Sequence, residues 1–250
     1  MSTFRSTIRT IRSAFGFFTR IPVGKAPLNE TMQGIFAWMP LVGIVVGLIA
    51  GACTYGACLL FPPLISGLIG CAVWVIITGG LHLDGVADCG DGLPVEVSRH
   101  RRLEIMKDSR LGTFGGTFLF FNLAFKSVAL VTLASTGNLL FILMACALAG
   151  LLARDQIFIA MHCPTARPGG LGDAVHQGTL PIHSVMALLF TLMVCAWAGW
   201  HGVYALLAAF MTSFCLLRYA ISRLGGVTGD VFGWLIETTE WVVLLTFCLK

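Results

Sequence analysis

The run Gly79-Gly80-Leu81-His82-Leu83-Asp84-Gly85-Val86-Ala87-Asp88-Cys89-Gly90-Asp91-Gly92-Leu93 decides how this chain is read. It sets three aspartates at i, i+4 and i+7 directly after a long uncharged apolar segment. At 100° per residue a helix carries those carboxylates within an arc of roughly 60°. Three like charges on one face repel one another. Following an apolar helix, they would also stand near its C-terminus, where the macrodipole disfavours anions. A cation between them offsets both costs, and an all-oxygen ligand set points to a hard ion such as Mg²⁺. Asp84, Asp88 and Asp91 are therefore the candidate metal ligands.

On both sides of this run the chain is apolar. Of its 250 residues 57% are hydrophobic and 11% charged, against about 25% charged in a soluble domain. No Asp, Glu, Lys or Arg occurs between Glu30 and Asp84, Arg110 and Lys126, Lys126 and Arg154, or Asp173 and Arg218. Apolar runs of roughly 18 residues or more are long enough for membrane helices. Their continuity, rather than alternation, argues against a β-barrel. The expected fold is all-α: one polytopic integral membrane bundle over residues 1–250. About seven spans are expected, near 35–60, 64–83, 113–135, 137–161, 183–200, 203–223 and 233–249. The last fits a simple span least, because it holds Glu237 and Glu240. Gly43, Gly47 and Gly51 make consecutive GxxxG units in the first span, a pattern that permits close helix contact.

Residues 1–25 carry Arg5, Arg9, Arg12, Arg20 and Lys25 with no acid. Phe4, Ile8, Ile11, Phe15 and Phe18 recur at helical spacing beside them. The pattern fits an amphipathic interfacial helix on an anionic membrane surface, or a helix packed on the rest of the chain. Pro22 ends it. No short apolar segment with a small-residue cleavage site follows promptly, so no cleavable leader is expected. The basic N-terminus predicts a cytoplasmic start. Parity then places the loops 84–112, 162–182 and 225–232 on the cytoplasmic side of the cell membrane. The intervening connections carry almost no charge, so one face holds the polar chemistry.

Residues 84–110 contain six of the chain's twelve acids and five bases. Glu96, Arg99, Arg101 and Arg102 read as a solvated loop with internal ion pairs. Lys107 and Arg110, three residues apart, can meet phosphate oxygens. The glycines of Leu111-Gly112-Thr113-Phe114-Gly115-Gly116 let backbone amides approach an anion at the next helix's N-terminus. The loop Ala166-Arg167-Pro168-Gly169-Gly170-Leu171-Gly172-Asp173 and the loop Gly225-Gly226-Val227-Thr228-Gly229-Asp230 each combine glycines with an aspartate on the same face. His82 stands beside the aspartates; the other histidines lack metal-ligand spacing and read as structural. None of the nine cysteines forms a CxxC pair, which argues against zinc or a disulfide framework. There is no P-loop and no Rossmann fingerprint. Metal-bridging carboxylates and phosphate-binding bases at a membrane surface suggest transfer of a phosphate-linked group, with the metal neutralising a diphosphate.

Several stretches resemble the cobalamin synthases, the adenosylcobinamide-GDP ribazoletransferases. They are residues 79–93, Leu103-Glu104-Ile105-Met106-Lys107-Asp108-Ser109-Arg110-Leu111-Gly112-Thr113-Phe114-Gly115-Gly116, the loops at 166–173 and 225–230, and the opening Phe18-Thr19-Arg20-Ile21-Pro22-Val23 and Pro40-Leu41-Val42-Gly43. The likeness runs in order over most of the chain. It implies a Mg²⁺-dependent membrane transferase that joins adenosylcobinamide-GDP to α-ribazole, or its 5′-phosphate, and releases GMP at the last assembly step of cobalamin. On that reading Asp84, Asp88 and Asp91 bind the metal. Substrate contacts come from His82, Glu104, Lys107, Arg110, Arg167, Thr228 and Asp230, and Asp108 or a cluster aspartate takes a proton. The partners implied are the two substrates and membrane lipid, with no nucleic acid; the oligomeric state, a homo-oligomer included, is not readable from the residues. Two rivals stay open. A CDP-alcohol-type membrane phosphotransferase has an aspartate motif of similar layout, although its extended signature is incomplete here. A divalent-cation transporter would place charges nearer the bilayer midplane.

Overall fold

A computed structural model describes residues 2–24, 34–167, 169–170, 175 and 181–249, without the side chains of residues 2–6. Among these residues the chain is all-helical: α1 (Ser2–Phe18), α2 (Met39–Cys58), α3 (Pro63–Thr78), α4 (Leu83–Gly92), α5 (Arg99–Ile105), α6 (Thr113–Ser135), α7 (Leu139–Ala160), α8 (Pro181–Trp197), α9 (Trp200–Leu224) and α10 (Gly229–Thr246). A 3-10 turn at Phe36–Trp38 leads into α2. Among the described residues four helices are long and apolar enough to cross a membrane, Phe36–Cys58, Thr113–Ser135, Leu139–Ala160 and Trp200–Leu224, with the bent pair α3–α4 a fifth candidate. Apolar side chains such as Leu64, Ile76, Phe120, Leu189 and Phe214 are exposed on the outer wall. Such a surface suits lipid and not water.

The expected second span, 64–83, is cut short. Gly79 and Gly80 take positive φ values of 63° and 69°, which end α3 in the way a left-handed glycine cap does. The Gly79 and Gly80 amides donate back to the Ile76 and Val75 carbonyls at 3.1 and 3.0 Å. After this break α4 leaves at 92° to α3. Together the two helices form a broken span or a re-entrant segment and not one straight crossing. Asp84 consequently stands in the first turn of α4, where the macrodipole favours an anion. That corrects the expectation of three aspartates at a helix C-terminus. The expected loop 84–112 likewise contains α4 and α5.

The GxxxG expectation holds. A Cβ on Gly43 would meet the Gly150 carbonyl oxygen at 2.0 Å, and one on Gly47 would meet that of Cys146 at 2.0 Å. The backbones of α2 and α7 therefore touch along a seam that side chains would force apart.

The segment expected near 233–249 is the interior helix α10, packed against α4, α6, α7 and α9. Glu237 and Glu240 are buried, and so are Lys126 on α6 and Arg154 on α7. Lys126 binds both glutamates and Arg154 binds Glu240. Trp74 donates to Glu240 at 2.9 Å, and Asn122 donates to Glu237 at 3.0 Å. Two cations thus face two carboxylates, which is how an apolar interior tolerates four charges. On α1, Ala14 and Phe18 are buried while Ile8 is exposed. Its C-terminal half is packed on the bundle, and the Phe18 ring lies 5.9 Å from that of Phe36.

Candidate functional site

A cavity of about 420 Å³ opens where α4 meets the start of α10. Two glycines permit that meeting. A Cβ on Gly85 would lie 2.4 Å from the Asp230 carbonyl oxygen, and one on Gly233 would lie 2.9 Å from that of His82. Asp84 and Asp88, one turn apart on α4, face the cavity together with Asp230. Thr228 caps α10 by accepting from the Val231 amide at 3.3 Å, and its hydroxyl donates to Asp230 Oδ2 at 3.2 Å.

Arg167 reaches the cavity because its segment is pinned to the 225–228 loop. Ala166 N donates to the Val227 carbonyl at 2.9 Å, and Val227 N donates to that of Pro164 at 2.8 Å. The guanidinium then binds Asp230 Oδ2 at 3.4 Å and the Leu103 carbonyl at 2.8 Å. The far half of that loop, with Asp173, lies outside the described residues. Burial first, and then Asp230 and Asp84, push the Asp88 carboxyl up to about 7, with Arg167 opposing. His82 is buried at the cavity wall with Nδ1 unpartnered among the described residues. Burial first, and then the Arg154 charge, push its imidazole down to about 3, so it faces the cavity neutral.

The other expected site residues lie elsewhere. Asp91 is not a lining residue of the cavity. Its Oδ2 accepts from Gly112 N at 2.7 Å and its Oδ1 from Gly115 N at 2.8 Å. A Cβ at Gly112 or Gly115 would meet that carboxylate at 2.3 or 2.4 Å. The glycines before α6 do admit an anion to a helix N-terminus, as their pattern suggests, and the anion seated there is Asp91. Asp108 is exposed and paired with Arg110 at 2.6 Å, which holds its carboxyl down to about 2. Glu104 pairs with Arg101 at 2.8 Å. Lys107 is exposed at the end of α5 and does not line the cavity. Glu96 binds Arg223 on α9 at 2.9 Å, and Arg102 is buried and binds the Val95 carbonyl at 3.1 Å, so the segment is tied to α9, against the expectation of a solvated loop with internal ion pairs.

The rest of the wall is largely aromatic and apolar, including Phe17, Phe18, Phe36, Phe232 and Ile236. This part of the cavity escaped the sequence reading. Its one signal was the set of phenylalanines at 15–18, which fits a membrane-facing stripe equally well.

The donor chemistry fits magnesium. Among the described residues no three His, Cys, Asp or Glu side chains form a complete metal-binding group. Mg²⁺ does not need one, since it commonly takes one or two carboxylates and completes its shell with water and substrate phosphate. Asp84 and Asp88 would supply that pair, with Asp230 lining the same cavity.

The family model for cobalamin-5-phosphate synthase matches residues 10–248. An adenosylcobinamide-GDP ribazoletransferase of Brevibacillus brevis is 33% identical over 240 residues, covering 93% of this chain and 94% of the relative. Those of Pseudomonas paraeruginosa and Roseiflexus are 36% and 35% identical, covering 98% and 96% of this chain and 100% and 89% of theirs. No solved structure matches. A match over nearly the whole length places the chain in the cobalamin-5-phosphate synthase family.

Proposed function

We propose that this chain joins adenosylcobinamide-GDP to α-ribazole, or its 5′-phosphate, and releases GMP at the cytoplasmic face of the cell membrane. A ribose hydroxyl oxygen attacks the phosphorus nearer the cobinamide. A new P–O bond forms, the bond to the GMP oxygen breaks, and the hydroxyl proton passes to a carboxylate. Asp84 and Asp88 would hold Mg²⁺, which when bound offsets the charge of the diphosphate and of the departing GMP.

The remaining roles follow from placement. Arg167 presents a fixed guanidinium to phosphate oxygens and is held by the Leu103 carbonyl at 2.8 Å. Asp230 uses Oδ2 for its bonds to Arg167 and Thr228, so Oδ1 receives the proton. Neutral His82 offers a ring nitrogen to a hydroxyl or phosphate. Lys107, just outside, draws the anionic substrate in. Phe17, Phe18 and Phe36 give a flat base an aromatic wall to lie against. Asp91 holds α4 to α6 and so fixes the orientation of Asp84 and Asp88.

One observation carries this reading: a chain matched over residues 10–248 folds so that aspartates 84, 88 and 230 line one cavity. The test is GMP release by purified protein in lipid, given adenosylcobinamide-GDP and α-ribazole, with and without Mg²⁺. Asp84→Asn and Asp88→Asn should each lower turnover by about 10²-fold or more. Full Mg²⁺-dependent turnover by either variant would refute the assignment.

A further inference from the structure

A second cavity, of about 260 Å³, lies between α7, α8 and α9. It sits on roughly the opposite face of α7 from Ile157, which lines the aspartate cavity. Its wall is apolar except for Asp155, Gln156, Ser184 and Thr191. Each of those that can donate has a protein acceptor. The Thr191 hydroxyl binds Asp155 Oδ2. The Gln156 amide nitrogen donates to the Leu152 carbonyl at 2.6 Å, and the Ser184 hydroxyl donates to Met161 Sδ at 3.6 Å. Two acceptors remain, Asp155 Oδ1 and Gln156 Oε1, both buried and unpartnered among the described residues. Gln156 is only 3% exposed. A buried acceptor without a donor is costly, and a carboxylate oxygen is the costlier of the two.

The cavity therefore suits a ligand with N–H or O–H donors, and a cationic one would also hold the buried Asp155 carboxyl in its ionised form. The way in is lateral. Ile159, Leu188 and Phe210 border the cavity and belong to the exposed apolar wall. Asp155 lies five residues before Ala160, the last of α7, or roughly 8 Å along the axis. It lies toward the same end of α7 as Ile157, which lines the aspartate cavity. A volume below the roughly 300 Å³ at which small-molecule pockets begin takes a headgroup and not a whole lipid.

We propose that this cavity binds the primary ammonium headgroup of a phospholipid of the phosphatidylethanolamine kind. The ammonium donates to Asp155 Oδ1 and Gln156 Oε1 while the acyl chains lie along α8 and α9. Such a headgroup combines a positive charge with several N–H donors. A choline headgroup keeps the charge and has no donor; a glycerol headgroup has hydroxyl donors and no positive charge.

The experiment is a lipid titration of the purified full chain by native mass spectrometry. The probes are phosphatidylethanolamine, its N-methyl and N,N-dimethyl forms, phosphatidylcholine and phosphatidylglycerol, all with the same chains. Binding should weaken stepwise as N–H donors are removed, with phosphatidylethanolamine about tenfold or more tighter than phosphatidylcholine, and Asp155→Asn should flatten the series. Equal binding of the ethanolamine and choline lipids by the wild-type protein overturns the proposal. So does tighter binding of phosphatidylglycerol, or a series that persists unchanged in Asp155→Asn. The wild-type series decides the matter even if the variant does not fold.

Discussion

Replacing Gly43 by alanine would put a methyl carbon 2.0 Å from the Gly150 carbonyl oxygen and 2.9 Å from the Arg154 side chain. Ordinary contact begins at 3.4 Å, so α2 and α7 would have to part by the difference, 1.4 Å. The obstacle is backbone, which has no rotamer to change. A gap of about 0.5–1 Å already forfeits a quarter to a half of a dispersion contact, and this gap would run along the whole seam. The expected cost is about 3 kcal/mol, the upper end for overpacking. Gly47→Ala, with its Cβ 2.0 Å from the Cys146 carbonyl oxygen, should match it. Gly51→Ala meets Cys146 Cβ at 3.1 Å, a contact that a shift of a few tenths of an ångström relieves, and should cost about 1 kcal/mol. Gly56→Ala meets nothing within 4 Å and should gain up to about 1 kcal/mol from helix propensity. Titration of the purified variants with SDS in mixed micelles, followed by helix content, measures the order. If Gly43→Ala unfolds at the same detergent fraction as Gly56→Ala, the close-seam argument is wrong.

Three further outcomes follow from the site and its supports. Asp91→Asn weakens the cap on α6 and should lower stability by about 1–2 kcal/mol, while the folded fraction loses some turnover through misplaced Asp84 and Asp88 and keeps its Mg²⁺ affinity; Asp84→Asn should keep stability and lose Mg²⁺ affinity, and a folded Asp91→Asn with weakened Mg²⁺ binding would return Asp91 to the metal. Glu240→Gln leaves Lys126 and Arg154 to share Glu237, which should cost about 3–5 kcal/mol in the same SDS titration; an unshifted midpoint would remove the charge cluster from any account of stability. Arg167→Lys keeps the charge and loses the fork that holds both Asp230 and Leu103. It should lower kcat/KM by about tenfold or more, one charge-assisted hydrogen bond, and wild-type kinetics would remove Arg167 from the site.

The membrane class, most span positions and the aspartate motif were readable because each depends on local pattern: hydropathy over a window, glycine every fourth residue, carboxylates on one face. What escaped depends on partners distant in the chain. Periodicity puts Asp91 on the same face as Asp84 and Asp88, and only the tertiary fold reveals that Gly112 and Gly115 claim its oxygens. The turn at Gly79 and Gly80 was visible as two glycines, yet hydropathy ran through it to residue 83. Its right angle comes from the packing of α4 on α6 and α10. Lys126 and Arg154 were seen as charges interrupting apolar runs, and Glu237 and Glu240 as a fault in the last one. Each made its neighbour hard to interpret until the fold placed them in one cluster.

That cluster bears on why the site holds its shape. A buried quartet of charges is seldom the most stable filling for a core, and apolar residues of the same volume often do as well or better. Its advantage here is direction. Lys126 and Arg154 come from different helices and converge on carboxylates two and three turns beyond Asp230 on α10. An apolar helix could slide by part of a turn at little cost, because one methyl packs much like another. A helix tied by ion pairs cannot, since any slip separates charges that have no water to replace their partners. Axial position on α10 is what sets Asp230 against Asp84 and Asp88, with only glycines at 85 and 233 between the backbones. The turnover of a stably folded Glu240 variant is thus the sharper measurement: if it equals wild type, the ion pairs hold the bundle together without setting the register of the site.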